Sequence, residues 1–280
     1  MNLRPPPLSR TATHCAAWLG AALLAAGCAS TTSGSVAAGG QGRSQLLLVS
    51  SDAVIQQSLQ YYEQQNKQAR AKGELITSGA EWSRVNAIMQ RLTPQVAAFR
   101  ADAARWPWQL LLIDEDTVNA HVMAGGKITV YTGLIRKLRL TDDEIAAVMG
   151  HEMAHALREH TREKMSQSAA GDLAISIGGA LLGAGEGVQQ MAGLGKQLAL
   201  DLPFSRGMES EADLYGLELA ARAGYDPRAA VTLWQKMARA GGSNGPGFLS
   251  THPAPGDRMA ALEAAIPKVM PLYEAARRKG

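Results

Sequence analysis

The chain has 280 residues, 46% of them hydrophobic, and 28 Lys and Arg stand against 25 Asp and Glu for a formal charge of +3. That length buries one substantial core, so one main domain is expected once the N-terminal segment is set aside. The charges are interspersed and form no Lys/Arg stripe, which excludes nucleic acid as an expected partner.

In chain order, residues 1–27 read as a signal peptide. Arg4 and Arg10 give a positive start, Ala16 to Ala26 a short apolar run, and Ala25, Ala26 and Gly27 are small residues before Cys28. The apolar run falls well short of the roughly eighteen residues that span a bilayer. Leu24-Ala25-Ala26-Gly27-Cys28 resembles a bacterial lipobox, which implies acylation of Cys28. The other cysteine, Cys15, lies in the segment to be removed, so the mature domain carries no disulfide. Residues 28–44, rich in Ser, Thr and Gly, read as a lipidated N-terminus with a flexible tether, ahead of a catalytic domain over 45–280.

Val54, Ile55, Leu59 and Tyr62 fall at helical spacing from Ser51, with a stop at Lys72-Gly73. A second helix is expected from Ala80 through Val96, with a kink or break at Pro94. The texture then changes to short apolar stretches, Trp108 to Ile113, Asn119 to Met123 and Lys127 to Tyr131, with Gly125-Gly126 as a turn. These predict a small antiparallel sheet, and the helices on either side make the class α+β with helix dominant.

Thr141-Asp142-Asp143-Glu144 is a capping box, so a helix starts there. Within it, His151-Glu152-Met153-Ala154-His155 is an HExxH motif. Four residues advance about 40° past a full turn, so both imidazoles share one face and can grip one ion. Glu152 is then the general base toward a water activated by that ion, the arrangement that amide hydrolysis requires. A catalytic zinc takes three protein ligands. His160 is rejected as the third. It lies about 140° around a continuing helix and reads as a surface or subunit-contact histidine. The acidic helix starting near Ser205 supplies Glu209 instead, with Asp213 one turn on to orient a zinc histidine and Glu211 pointing away. Between the two helices, Leu173 to Gly185 is apolar and glycine-rich, read either as a lid over the cleft or as a core helical hairpin.

The segments HEMAHALREH, SRGMESEADLYGLELAARAGYDP and STHPAPGDRM, in this order, resemble the HtpX and CAAX-prenyl-protease family of zinc metalloendopeptidases. Within it they look like the exported LoiP-like and BepA-like members, because the chain has no transmembrane helix after Cys28. The resemblance covers nearly the whole chain from about Leu46. It implies a zincin-type protease domain with one Zn2+ per chain held by His151, His155 and Glu209, with Asp213 as partner. It places His252 and Arg258 at the metal, where each stabilises the oxyanion or the histidine occupies the open position. Asn119, Ala120 and the arm Gly126, Lys127, Ile128, Thr129 and Val130 resemble the family's edge strand, which takes substrate as an added strand.

The implied function is hydrolysis of misfolded or envelope proteins on the periplasmic side of a bacterial membrane, the outer membrane by the residue after Cys28. Other envelope proteases or assembly factors are implied partners. The alternative is a lipoprotein chaperone or assembly factor whose metal site is latent.

Overall fold

The computed structural model describes residues 28–40, 42–181, 203–240, 247–253 and 256–278. The signal-peptide segment lies outside the described residues, as does Leu173 to Gly185 beyond Leu181.

Strands β1 (Cys28–Ala29) and β2 (Gln45–Leu46) pair antiparallel. Helix α1 (Ser51–Lys72) begins where the Ser50 side chain accepts from the Ala53 N–H, and it ends at Gly73, whose φ of 73° is the left-handed cap expected of that glycine. After β3 (Leu75–Ile76), helix α2 (Ala80–Leu92) gives way at Pro94 to a 3-10 segment, Thr93–Ala98. A proline inside the helix would remove one N–H and clash with the preceding turn, so the break falls where the sequence put it.

The main sheet has the order β3-β4-β6-β5, with β4 (Gln109–Ile113), β5 (Ala120–Met123) and β6 (Lys127–Tyr131). β5 and β6 form a hairpin through Gly125 and Gly126, at φ 79° and 82°. Only glycine adopts this region without cost, and a Cβ on Gly126 would meet the Trp108 ring at 2.8 Å. One pair departs from the expected antiparallel pattern. β6 folds back between β4 and β5 and runs parallel to β4, so the sheet is mixed. β3 went unread because two residues carry no period.

Helix α3 (Thr132–Leu138) leads into α4 (Asp142–Leu157), whose capping box is formed, with Thr141 and Glu144 bonded reciprocally. Then come α5 (His160–Leu181), α6 (Arg206–Arg222), α7 (Ala229–Ala240), the short α8 (Phe248–Thr251) and α9 (Gly256–Arg277). The core joins Val85, Ile88 and Leu92 of α2, Ile128 and Val130 of β6, Ile145 and Met149 of α4 and Leu219 of α6. α4 is therefore buried nearly all round, as its high apolar content requires. Among the described residues, no helix is long and apolar enough to cross a membrane.

The stretch expected to be a flexible tether is instead a strap packed on the body. Ser35 Oγ and the Val36 N–H both donate to the buried Glu218 carboxylate at 2.7 Å, and Gln45 Nε2 donates to the Arg158 carbonyl at 2.6 Å. Ser35, Ala37 and Gln45 are buried. Hydroxyl- and glycine-rich composition suggests a linker, but these polar groups satisfy the Glu218 carboxylate on α6 and the Arg158 carbonyl just past the end of α4.

Candidate metal centre

The site forms where α4 crosses α6, and two glycines set the distance. A Cβ on Gly216 would lie 2.6 Å from His151 N, and one on Gly150 would lie 2.8 Å from Gly216 O. Backbone meets backbone at this crossing, so the imidazoles of one helix reach the carboxylates of the other.

Four side chains converge, His151, His155, Glu209 and His252, each buried and each offering an atom within 4.8 Å of the rest. His151 Nε2 and His155 Nε2 are 3.1 Å apart, His155 Nε2 is 3.4 Å from Glu209 Oε1, and His151 Nε2 is 3.6 Å from Glu209 Oε2. His252 Nδ1 stands 3.0 Å from Glu209 Oε1 and 3.3 Å from His151 Nε2. Tetrahedral zinc with bonds near 2.05 Å has donor–donor edges of about 3.3 Å, so this donor set fits the ion.

Two orphaned atoms point the same way. Among the described residues, buried Glu209 Oε2 and Glu152 Oε1 have no hydrogen-bond partner. Arg258 Nη1 lies 2.9 Å from Glu209 Oε2 and His252 Nε2 lies 3.4 Å from Glu152 Oε1, close contacts that make no hydrogen bond to either oxygen. Unpaired buried carboxylate oxygens are costly, and a cation beside one and a water beside the other would remove the cost. Glu209 also sits in the first turn of α6, where the helix dipole favours its charge.

Burial pushes the Glu152 carboxyl above the ordinary range, against the pull of His252 and His151 and of the Val122 backbone N–H. Burial alone would raise Glu209, yet hydrogen bonds from His155 and His252 hold it far below the usual range. Burial keeps His155 neutral well below 6.5. In His151 burial is outweighed by the Asp213 hydrogen bond and the Glu209 charge, and its pKa rises.

The surrounding groups hold these side chains in place. Asp213 Oδ1 lies 3.0 Å from His151 Nδ1, as the one-turn spacing from Glu209 implied. Phe204 stacks on the His155 ring at 4.1 Å. Arg258 differs from its expected oxyanion role. It is 3% exposed, with Nε and Nη2 donating to Asp213 and Nη1 to the Pro253 carbonyl, so here it positions carboxylates.

His160 also differs from the expected surface histidine. It is fully buried, with Nδ1 2.9 Å from His155 Nδ1 and Nε2 3.0 Å from Glu211 Oε2. Glu159 at φ 48° ends α4, and the chain turns His160 back behind His155. The helix does not continue past Leu157, so His160 does not sit about 140° around from His155 as a continuous helix would place it.

The expected edge strand is also reassigned. β6 lies inside the sheet, where Gln109 N donates to Gly126 O, Lys127 Nζ reaches the Pro107 carbonyl and Thr129 bonds Gln65. Gly126, Lys127, Ile128, Thr129 and Val130 therefore offer substrate no free main-chain edge. The edge is β5, with Ala120 on it and Asn119 capping the Ala120 N–H.

Comparison with known proteins agrees with this geometry. Residues 80–266 match the model for peptidase family M48. The chain is 39% identical over 158 residues to mitochondrial metalloendopeptidase OMA1 of Arabidopsis thaliana, covering 56% of this chain and 31% of that protein. It is 37% identical over 163 residues to the Schizosaccharomyces pombe OMA1, covering 58% and 47%. To the beta-barrel assembly-enhancing protease of Escherichia coli it is 27% identical over 227 residues, covering 78% and 45%. The chain thus spans less than half the length of each of these relatives. With the family model matched over about two thirds of its length, the chain belongs to peptidase family M48.

Proposed function

We propose that the chain is a zinc-dependent endopeptidase acting on unfolded or misfolded envelope proteins. The observation that carries this is the buried convergence of His151, His155 and Glu209, with Glu209 Oε2 and Glu152 Oε1 accepting no hydrogen bond among the described residues. Those three residues hold the ion. Bound there, zinc supplies a Lewis acid that polarises the scissile carbonyl and acidifies the attacking water.

Glu152 takes the water's proton and returns it to the leaving nitrogen, its buried Oε1 being free of any hydrogen bond that would compete for the water. Asp213 fixes the His151 tautomer, and Arg258 holds Asp213 in place. The β5 edge, near Asn119 and Ala120, receives the peptide through main-chain bonds and so asks little of its sequence. In the present arrangement His252 fills the corner that substrate needs. Its ring stacks on Phe248 at 4.2 Å, and the Phe248 N–H is tied to Val118 O at 2.8 Å. Withdrawal of this segment opens the site. The same closure supports a second reading, a chaperone or assembly factor whose metal site stays latent.

The finer assignment is to the exported, BepA-like lipoprotein branch. In this reading Cys28 carries the lipid after residues 1–27 are removed, and the domain faces the periplasm at the outer membrane, where other envelope proteases or assembly factors are its neighbours. The lipobox-like residues before Cys28 support it.

Wild type and Glu152→Gln, compared on unfolded casein with zinc content measured in both, test the reading. Glu152→Gln should keep one zinc and lose about 10²- to 10⁴-fold in cleavage. Equal cleavage by the two proteins would refute Glu152 as the base, and no cleavage by wild type even as His252→Ala would leave the chaperone reading.

A further inference from the structure

Behind His155, the buried His160 and Arg158 and the part-exposed Glu211 take no part in the mechanism above, and they lead to the strap. His160 Nδ1 is 2.9 Å from His155 Nδ1, and His160 Nε2 is 3.0 Å from Glu211 Oε2. Glu211 Oε1 accepts from Arg158 Nη2 at 2.9 Å, and Arg43 Nε lies 3.2 Å from Glu211 Oε2. The fully buried Arg158 is enclosed by the strap. Its Nη1 donates to Ser30 Oγ at 3.1 Å and Thr32 Oγ1 at 3.0 Å, and its Nη2 to the Arg43 carbonyl at 3.0 Å. The strap passes so close that a Cβ on Gly42 would lie 3.0 Å from Arg158 Nη1 and 2.8 Å from the Tyr215 hydroxyl.

Proton placement along this line has one consistent solution. If His155 Nε2 faces the ion, its Nδ1 carries the hydrogen and donates to His160 Nδ1. The proton of His160 is then on Nε2, and Glu211 accepts it. A carboxylate therefore sets the tautomer and tilt of His155 through an intervening imidazole, while Asp213 does so for His151 directly.

We propose that the N-terminal strap, residues 28–40 and 42–46, is a working part of the metal centre: through Arg43 and Arg158 it fixes Glu211, which orients His160, which orients the ligand His155. Arg43, Arg158, His160 and Glu211 are positioning residues. The proposal rests on the zinc reading above and adds that the domain binds its metal tightly only with the strap docked.

The test is zinc affinity of the full chain by competition with a chelator, with the Co2+ absorption spectrum and the melting temperature of the metal-free protein measured alongside. Glu211→Gln keeps the shape but leaves one oxygen for three donors, His160, Arg158 and Arg43, and zinc affinity should fall about 10- to 100-fold. Arg43 has 37% of its side chain exposed, and its removal also takes two donors from the buried Glu163, so the melting temperature of Arg43→Ala is read beside its zinc affinity. Arg43→Ala should weaken zinc about two- to fivefold.

The sign of that change is diagnostic. Removing a nearby positive charge by itself would tighten binding of a cation, whereas loss of a support weakens it. In the Glu211→Gln background Arg43→Ala should change zinc affinity little, because the route is already cut. Should Glu211→Gln not fold, Arg43→Ala and Thr32→Val read the same line. Zinc affinity and Co2+ spectra matching wild type, with only the melting temperature lowered, would make the strap purely structural and overturn the proposal. A wild-type chain that binds no zinc would overturn the metal reading as well.

Discussion

Gly216→Ala probes the helix crossing on which the site is built. Its Cβ would stand 2.6 Å from His151 N, 2.7 Å from Gly150 C and 2.8 Å from His151 Cα, all backbone atoms that cannot rotate away. Cβ contacts become ordinary at 3.4 Å, so α4 and α6 must part by about 0.8 Å. That displacement is a sizeable fraction of the 3.1 to 3.6 Å edges of the donor group, and it falls between the two helices that carry His151, His155 and Glu209. Overpacking of this kind costs about 1–3 kcal/mol, and each kcal/mol lowers the melting temperature of a domain this size by about 2–4 °C. Zinc affinity should fall about 10- to 100-fold, the range seen when ligand support is disturbed. The assay is chelator competition with thermal melts of the metal-free protein. Gly171→Ala on α5, where a Cβ meets nothing within 4 Å among the described residues, is the control and should leave zinc binding unchanged. A Gly216→Ala protein with wild-type affinity and melting would refute the claim that this contact sets the site.

Zinc binding should weaken on acidification. The His151 pKa is raised above 6.5 in the metal-free fold because Asp213 and Glu209 outweigh burial, whereas burial keeps His155 neutral well below 6.5. The His151 charge therefore stabilises the metal-free protein fully below 6.5 and ceases to do so as pH rises through the folded pKa. Zinc binding runs in the opposite sense, falling about tenfold per unit as pH drops through that value, and a pH-independent affinity would contradict it. Thr141→Ala removes the cap bond to Glu144 N and should cost about 1 kcal/mol, read as a drop of about 2–4 °C in the melt. His252→Ala should leave one zinc bound and change casein cleavage; a variant unchanged in both zinc content and cleavage removes His252 from the site.

What the sequence revealed depended on how local the cause was. The HExxH face, the Thr141 capping box, the Gly73 stop and the Pro94 break each arise within a few residues, and each was legible. Glu209 and Asp213 could be paired because one turn of a helix fixes their common face. The strap was not legible, since Ser35 and Gln45 find their partners, Glu218 and Arg158, on distant helices. His160 was misplaced because a non-glycine residue, Glu159, takes the left-handed conformation that ends α4, and nothing in its chemistry signals that. The hairpin arm was read correctly as a strand and wrongly as an edge. Register along a chain does not say that β6 returns beside β4, with Gln109 opposite Lys127.

X-ray absorption at the zinc edge on purified full-length protein, with the metal counted per chain, tests the centre most directly. The account predicts one zinc with a shell of nitrogen and oxygen ligands at about 2.0–2.2 Å, lost or sharply weakened in Glu209→Ala and in His155→Ala. Absence of zinc, or zinc retained unchanged in both variants, would contradict it.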